Sequence, residues 1–184
     1  MTKKNKKIFT FAIIFFLTIV AFAAVVWVRF PVRHLETIRA NAGDLEPALI
    51  LAVIKAESSF RENAESHRGA RGLMQLMPAT AEEIAKHLAM TDFSAEDLWQ
   101  PEKNIAMGCF YLNRLYKIFD CAELALAAYN AGQGNVKRWL SDPKISEDGE
   151  SLDTIPFPET DKYVNRVEFY RRIYTLILRA FHSK

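Results

Sequence analysis

The sequence has 184 residues, enough for one domain with a hydrophobic core and a short appendage. Its net charge is +2, but four of its 24 basic residues lie in the acid-free N-terminal tail, which leaves 20 basic against 22 acidic residues elsewhere. That slightly acidic balance excludes the basic surface of a nucleic-acid-binding protein, so we expect no nucleic-acid partner.

The N-terminus predicts a membrane anchor. A basic tail, residues 1–7, precedes an uncharged apolar run, residues 8–28. As one helix this run spans about 30 Å, the thickness of a bilayer core. The alternative is a buried core helix, which is disfavoured because polar residues are almost absent all round the segment. The tail lysines favour a cytoplasmic N-terminus, a single pass through the cytoplasmic membrane, and a domain on the extracytoplasmic side. A cleavable signal peptide is the alternative, since "AFA" at Ala21–Ala23 resembles a cleavage site, but the run continues to Val28 and favours an uncleaved anchor.

The rest of the chain predicts an all-α fold. A connector, residues 29–39, is expected to become helical near His34–Asn41, and a helical domain, residues 40–184, follows. Sustained period-two alternation and hairpin turn pairs are missing from it. The predicted helices are Leu45–Ser59, Ala79–Met90, Pro101–Phe119, Cys121–Ala131, Asn135–Leu140 and Thr160–His182.

Local signals mark some of these helix ends. Thr80 and Glu83 have the spacing of a capping box, with Pro78 as an alternative first-turn residue. Gly132, in "NAG", is expected to end a helix in a left-handed conformation.

The two cysteines predict neither a disulfide nor a metal site. In a helical hairpin bent near Phe119, Cys109 lies about 15 Å from the bend while Cys121 lies beside it, and a disulfide needs Cα atoms within about 7 Å. We interpret both as small buried apolar residues. The sequence contains no metal-ligand cluster, phosphate-binding loop or cofactor motif, so no cofactor is expected.

A glutamate stands out in the apolar segment "LEPALILAVIKAESSF". On a helical wheel Glu57 lies within a broad apolar arc, close to the C-terminal end of the helix. Desolvation and the helix C-terminus both disfavour its charged form, and only Arg61, at i+4, could compensate. We therefore predict a raised pKa and a carboxyl protonated near neutral pH, as a general acid requires. The alternative is a structural glutamate satisfied by backbone N–H groups or by Arg61.

The segment "SHRGARGLMQLMPAT" is compatible with a sugar-binding loop. Gly69 and Gly72 permit left-handed turns and a close approach of the backbone to a ligand. Gln75 offers a donor and an acceptor among apolar surfaces, a mixture that suits a glycan. The alternative is a plain turn that enters a helix, with Met74 and Met77 in the core.

A second segment, "ALAAYNAGQGNV", places two polar side chains at a helix end. Tyr129 and Asn130 could contribute to a site there. Asn130 could equally be a C-terminal cap, and Tyr129 a core residue whose hydroxyl is satisfied.

Five segments in order, "ESSF", "GARGLMQLMPATA", "DLWQPEKNIAMGCFYL", "ALAAYNAGQGNV" and "IPFPETDKYVNRV", resemble the family 1 lytic transglycosylases over residues 40–175. The resemblance implies a compact lysozyme-like domain of the goose-lysozyme type. It also implies peptidoglycan glycan strands as substrate, cut at the β-1,4 bond between N-acetylmuramic acid and N-acetylglucosamine.

The resemblance further implies roles for individual residues. Glu57 would protonate the glycosidic oxygen and then take the proton of the muramic C6 hydroxyl, which closes a 1,6-anhydro ring without a second carboxylate. Family members often carry Arg-Asp where this chain has Asp161-Lys162, so the polar contacts around Tyr163 are expected to differ. The implied substrate-binding residues are Ser58, Met74, Gln75, Tyr129, Asn130, Ala131 and Tyr163.

Two other functions remain open at this stage. The same fold could hydrolyse the same bond as a lysozyme-like muramidase, or it could be a catalytically silent wall-binding module. The desolvated Glu57 disfavours the second, because a silent module has no need of it.

Overall fold

The computed structural model describes residues 3–181, apart from the side chains of residues 3–6, 8–10, 12 and 22. Its α-helices are α1 Lys3–Arg29, α2 Leu35–Asn41, α3 Pro47–Glu57, α4 Pro78–His87, α5 Pro101–Phe119, α6 Ala122–Ala131, α7 Gln133–Leu140 and α8 Pro158–Phe181. A short 3-10 helix, Ala95–Trp99, precedes α5. No strand occurs in the described range, where the β-type pairing consists of two isolated bridges that join Arg71 to Glu65 and to Leu76. The predicted all-α class is confirmed for these residues.

The chain divides into two units, Met1–Val32 and Arg33–Lys184. The first unit is essentially α1, a helix of 27 residues whose described large apolar side chains, Phe11 and Phe15 among them, are mostly exposed. Across the part of the chain that is described, no helix is both long and apolar enough to cross a membrane. The predicted span over residues 8–28 is therefore not confirmed by the structure.

The second unit is built around α3. All residues from Ala48 to Ile54 are buried, because the helix is covered by other elements on all sides. Its most extensive partner is α8, while α5 packs on α2 and on α6. Ile38 of α2 is completely buried, so the compact unit includes α2 and begins earlier than the predicted boundary at residue 40.

Several helix boundaries differ from the prediction for local reasons. α3 begins at Pro47, a favoured first-turn residue, and ends at Glu57 because Ser59 and Phe60 adopt positive φ angles of 52° and 63°. α5 has the predicted bounds. The predicted end of the last helix, His182, lies outside the described residues.

The predicted capping box is wrong. α4 begins at Pro78 with Met77 at the N-cap, so Thr80 lies inside the helix. A capping box does occur at the 3-10 helix, between Ser94 and Asp97. That helix was not predicted, since five residues are too few to show a period.

Glycine and cysteine positions follow the predictions in part. Gly132 has a positive φ of 89°, as predicted, but its ψ of 139° is extended, and α7 begins at the next residue. Both cysteines are free; Cys109 is buried, whereas Cys121 is only partly buried at the start of α6.

Candidate active site

Glu57 is the last residue of α3 and lines a cavity of about 450 Å³. The residue after it, Ser58, is buried and donates its hydroxyl to the carbonyl of Ile54 at 3.1 Å. The chain then turns sharply through the positive-φ pair Ser59 and Phe60. The glutamate is thereby held between a rigid helix and a fixed turn.

Burial raises the pKa of Glu57 to about 7. The hydroxyl of Tyr163 and the positive charge of Arg166, both on α8, act against this rise but do not cancel it. Among the described residues no ion pair joins Arg61 to Glu57, and the Arg61 Nε donates to the Ser58 carbonyl at 3.0 Å. The raised pKa agrees with the sequence prediction, and its opposing charge comes from a distant helix instead of the same one.

Tyr163 is the buried neighbour of this carboxyl. Its side chain is 2% exposed, and within the described part of the chain its hydroxyl makes no hydrogen bond of standard geometry. The hydroxyl nevertheless lies close enough to Glu57 to lower the carboxyl pKa. Burial, then the charge of Glu57, holds the pKa of Tyr163 well above its usual value, so Tyr163 remains a neutral donor. The Arg166 guanidinium lies over its ring at 5.8 Å from the centroid.

A buried asparagine on α5 fixes the loop that forms one wall of the cavity. Asn104 accepts from the Met74 N–H at 2.8 Å and donates to the carbonyls of Arg71 at 2.9 Å and Leu98 at 3.0 Å. Gly72 has a φ of +77°, and a Cβ there would collide with Asn104 and the Leu98 carbonyl. The loop therefore needs glycine at this position.

The wall of the cavity presents Gln75 and Tyr129. The amide nitrogen of Gln75 donates to the carbonyls of Ala64 at 2.8 Å and Gly72 at 2.9 Å, which leaves the amide oxygen for a ligand. The Tyr129 hydroxyl donates to the Met74 carbonyl at 2.8 Å. Both residues line the cavity.

Met74 is not where the resemblance placed it. Its side chain is completely buried, and a Cβ at Gly108 would collide with it, so it is a core residue that packs against α5. Met77 is the methionine that lines the cavity, with 42% of its side chain exposed. Ser58 is buried as well and does not line the cavity.

A second cavity, of about 390 Å³, continues the first. Both are lined by Arg68, Asn130 and Glu159, and the second adds Ala131 and Phe157. The Asn130 side-chain oxygen accepts from the buried hydroxyl of Thr160 at 2.8 Å. The two cavities form one groove with Glu57 at one part of its wall.

Another cavity of about 440 Å³ lies at the opposite end of α3, between Leu45, Tyr116 and Arg171. Its nearest acids include Glu46, which is ion-paired with Arg171 at 3.4 Å. The carboxyl with the raised pKa, Glu57, lines the other cavity, so we assign chemistry there.

Sequence reasoning missed Asn104, Glu159, Thr160 and Arg166. All four lie inside segments that carry the family resemblance, but nothing in a single sequence says that they face the loop, the groove or the carboxyl. One signal for Arg166 was available, since it lies one helical turn after Tyr163.

Comparisons with known proteins agree with this geometry. The profile of the Transglycosylase SLT domain matches residues 35–151. The chain belongs to this family. The chain is 36% identical over 151 residues to the soluble lytic murein transglycosylase of Salmonella typhimurium, covering 79% of this chain and 23% of that protein. We call the second unit of the chain, residues 33–184, the SLT domain. The membrane-bound lytic murein transglycosylase F of Desulfosudis oleivorans is 41% identical over 96 residues, covering 48% of this chain and 19% of that protein.

Solved structures resemble the SLT domain as well. An inactive glutamate-to-glutamine mutant of the lytic transglycosylase Slt from Pseudomonas aeruginosa superposes with a TM-score of 0.73 at 36% identity, covering 84% of this chain and 26% of that one. A complex of a 70-kDa soluble lytic transglycosylase with bulgecin A superposes with a TM-score of 0.74 at 29% identity, covering 83% of this chain and 26% of that one. The chain thus spans about a quarter of the length of these relatives.

Proposed function

We propose that the SLT domain is a peptidoglycan lytic transglycosylase. It cleaves the β-1,4 bond between N-acetylmuramic acid and N-acetylglucosamine and leaves 1,6-anhydromuramic ends. The observation that carries the proposal is the Glu57 carboxyl, whose pKa is raised to about 7 on the wall of an open groove. Family membership and the names of the relatives support the same activity.

The proposed reaction uses one carboxyl twice. Protonated Glu57 gives its proton to the glycosidic oxygen as the C1–O bond breaks, so N-acetylglucosamine leaves as an alcohol. The resulting carboxylate faces the Tyr163 hydroxyl and the Arg166 charge, which stabilise it. It then takes the proton of the muramic C6 hydroxyl while that oxygen attacks C1. A pKa near 7 suits both steps, because the group must give and accept a proton at the same pH.

The groove supplies contacts for the glycan. The Gln75 amide oxygen is placed to accept from a sugar hydroxyl, while Met77 offers an apolar face. Asn130 and Ala131 extend this surface away from Glu57. We propose Tyr129 as a wall residue that holds the loop through its bond to the Met74 carbonyl.

Digestion of purified sacculi by the full-length protein in detergent tests the function, with the products analysed by mass. Anhydromuramic ends are expected. Glu57→Gln should lower the rate of lysis by about 10²–10⁴-fold while the protein still binds sacculi. Glu62→Gln, at an exposed neighbouring glutamate, is the control and should leave lysis unchanged.

The contrary outcomes are distinct. Reducing muramic ends would identify a hydrolytic muramidase, for which Glu159 on the same cavity would be the second carboxyl to test. Unchanged lysis by Glu57→Gln would show that the acid is misassigned. Binding without lysis by the unmodified protein would identify a wall-binding module.

We also propose that residues 8–28 anchor the SLT domain in the cytoplasmic membrane, with the N-terminus inside. The support is the uncharged apolar run and the continuous helix α1 that contains it. Some relatives are named membrane-bound lytic murein transglycosylases. Resistance of the full-length protein to alkaline extraction from membranes is expected; release, or a mature N-terminus after Ala23, would overturn the anchor.

A further inference from the structure

The C-terminal half of α8 has an apolar and basic outward face. Its inward face is buried and includes Tyr174. The outward residues follow the helical spacing i, i+3, i+4, i+7 and i+10. We call them the α8 stripe: Phe169, Arg172, Ile173, Leu176 and Arg179.

The stripe carries only positive charge, and four of its five residues are exposed while Ile173 is partly buried. Phe169 is 59% exposed and Leu176 is 66% exposed. Arg172 and Arg179 form no ion pair with any residue in the described range, and α8 has no acid after Glu168. Single exposed apolar residues are ordinary, but aromatic and aliphatic side chains interleaved with arginines on one helix face are typical of binding at a membrane surface.

The first half of α8 differs. Its exposed residues include Asp161, Lys162, Asn165 and Arg166, which are polar and of mixed charge. The Asn165 amide is bonded to the Asp161 carboxylate at 3.0 Å. The apolar and basic character is therefore confined to the half of the helix that lies away from Tyr163 and the groove.

Contacts at the start of the second unit lead to the same half of α8. His34, just before α2, lies 3.3 Å from Glu62 through its Nε2 and the Oε1 of that residue. Two residues before Glu62, Phe60 packs edge-on against Tyr174 with ring centroids 6.4 Å apart. His34, near the start of the second unit, is thus linked through Glu62 and Phe60 to the half of α8 that carries the stripe.

We propose that the α8 stripe docks on anionic phospholipid headgroups of the membrane that holds residues 8–28. Phe169 and Leu176 enter the interface, and Arg172 and Arg179 meet the lipid phosphates. The inference rests on the proposed anchoring and not on the proposed catalysis. Glu57 lies beside Tyr163, which is about 20 Å along α8 from Leu176. Docking through Leu176 would therefore hold the groove at that distance from the contact and give it a fixed orientation to the membrane.

A fluorescent label on full-length protein in vesicles tests the docking. The label is placed at Leu176→Cys in a Cys121→Ser background, since Cys109 is buried. The vesicles contain phosphatidylcholine with brominated acyl chains, with and without phosphatidylglycerol. We expect quenching at position 176 that increases with phosphatidylglycerol, and none for the control label at Glu82→Cys, an exposed site on α4.

Charge reversal tests the arginines. Combining Arg172→Glu with Arg179→Glu should lower the ratio of docked to undocked protein by at least about fivefold for each arginine, because each basic residue near an anionic surface contributes about that factor. The matched control, Lys137→Glu with Arg138→Glu on α7, should leave the quenching unchanged. Lysis of sacculi in detergent should be the same for both double variants.

Flotation with the vesicles separates the two proposals. If the protein floats but the labels at positions 176 and 82 behave alike, the docking is overturned while the anchor stands. If the label at position 176 becomes shielded from solvent as the protein concentration rises, and not as lipid is added, the stripe is a contact between copies of the chain and the docking is overturned. Failure to float overturns the anchor and the docking together, whatever the lysis assay shows.

Discussion

The carboxyl of Glu57 combines features that come from two parts of the chain, α3 and α8. Its burial follows from α3, and the sequence predicted it from the apolar arc around the residue. The groups that oppose the burial, Tyr163 and Arg166, lie on α8. The family resemblance indicated Tyr163. Arg166 was missed although it lies one helical turn after Tyr163, because a helical wheel of α3 contains no information about α8.

A buried carboxyl with a raised pKa makes stability depend on pH. The folded protein holds this proton more tightly than the unfolded chain does, since the pKa is about 7 instead of its ordinary 4.5. The associated stability is fully present below pH 4.5, decreases as the pH rises through 7, and is then absent. At pH 8, Glu57→Gln should raise the free energy of unfolding by up to about 3 kcal/mol over the unmodified protein.

Denaturant unfolding at a series of pH values checks this prediction. The difference between the two proteins should shrink to near zero at pH 4, where both carry an uncharged side chain. A difference that is the same at pH 4 and pH 8 would show that the burial of charge at Glu57 is not its cause.

Tyr163→Phe should move the pH dependence of lysis. The hydroxyl lowers the pKa of Glu57, so its removal should raise that pKa and shift the alkaline limb of the pH–rate profile to higher pH. Tyr116→Phe, on the cavity at the other end of α3, is the control and should leave the profile unmoved. A profile unchanged in both variants would remove Tyr163 from the site.

At the scale of elements, the loop between α3 and α4 is positioned by α5 through Asn104 and through the contact of Met74 with Gly108. The sequence identified this loop as a candidate from Gly72 and Gln75. It did not reveal that the loop turns one methionine inward and the other outward, because an irregular loop has no period from which burial can be deduced. For this reason the resemblance wrongly implied that Met74, which is completely buried, lines the groove.

Gly108→Ala should damage both stability and activity. The added methyl group meets the Met74 side chain in a packed core, so we expect a loss of about 1–3 kcal/mol and a slower lysis as the loop moves. Gly134→Ala on α7 is the matched control, with nothing within 4 Å of the added atom. It should be neutral or stabilising by up to about 1 kcal/mol. Equal effects of the two substitutions on the melting temperature would contradict the packing argument.

For the whole molecule, the division at residues 32 and 33 has a direct consequence for truncation. The sequence predicted a helical domain behind an apolar segment, and it could do so because the apolar run and the helical periods are both local signals. It set the boundary too late, since the burial of Ile38 depends on contacts with other helices.

Removal of residues 1–32 should leave the melting temperature of the SLT domain unchanged. The core of the second unit, including α2, is made from residues after position 32. Calorimetry of the full-length and truncated proteins in the same detergent checks this. A lower melting temperature of the truncated protein would mean that α1 contributes to the fold of the domain.

The turn behind Glu57 has a consequence for evolution and engineering. Ser59 and Phe60 both have positive φ angles. Residues other than glycine disfavour this backbone conformation, at a cost of about 1–3 kcal/mol each. Variants chosen for heat resistance alone should therefore accumulate glycine or asparagine at position 59, whereas variants chosen for turnover should retain the residues that keep the corner stiff. Selection in a laboratory for one property would then erode the other at this corner.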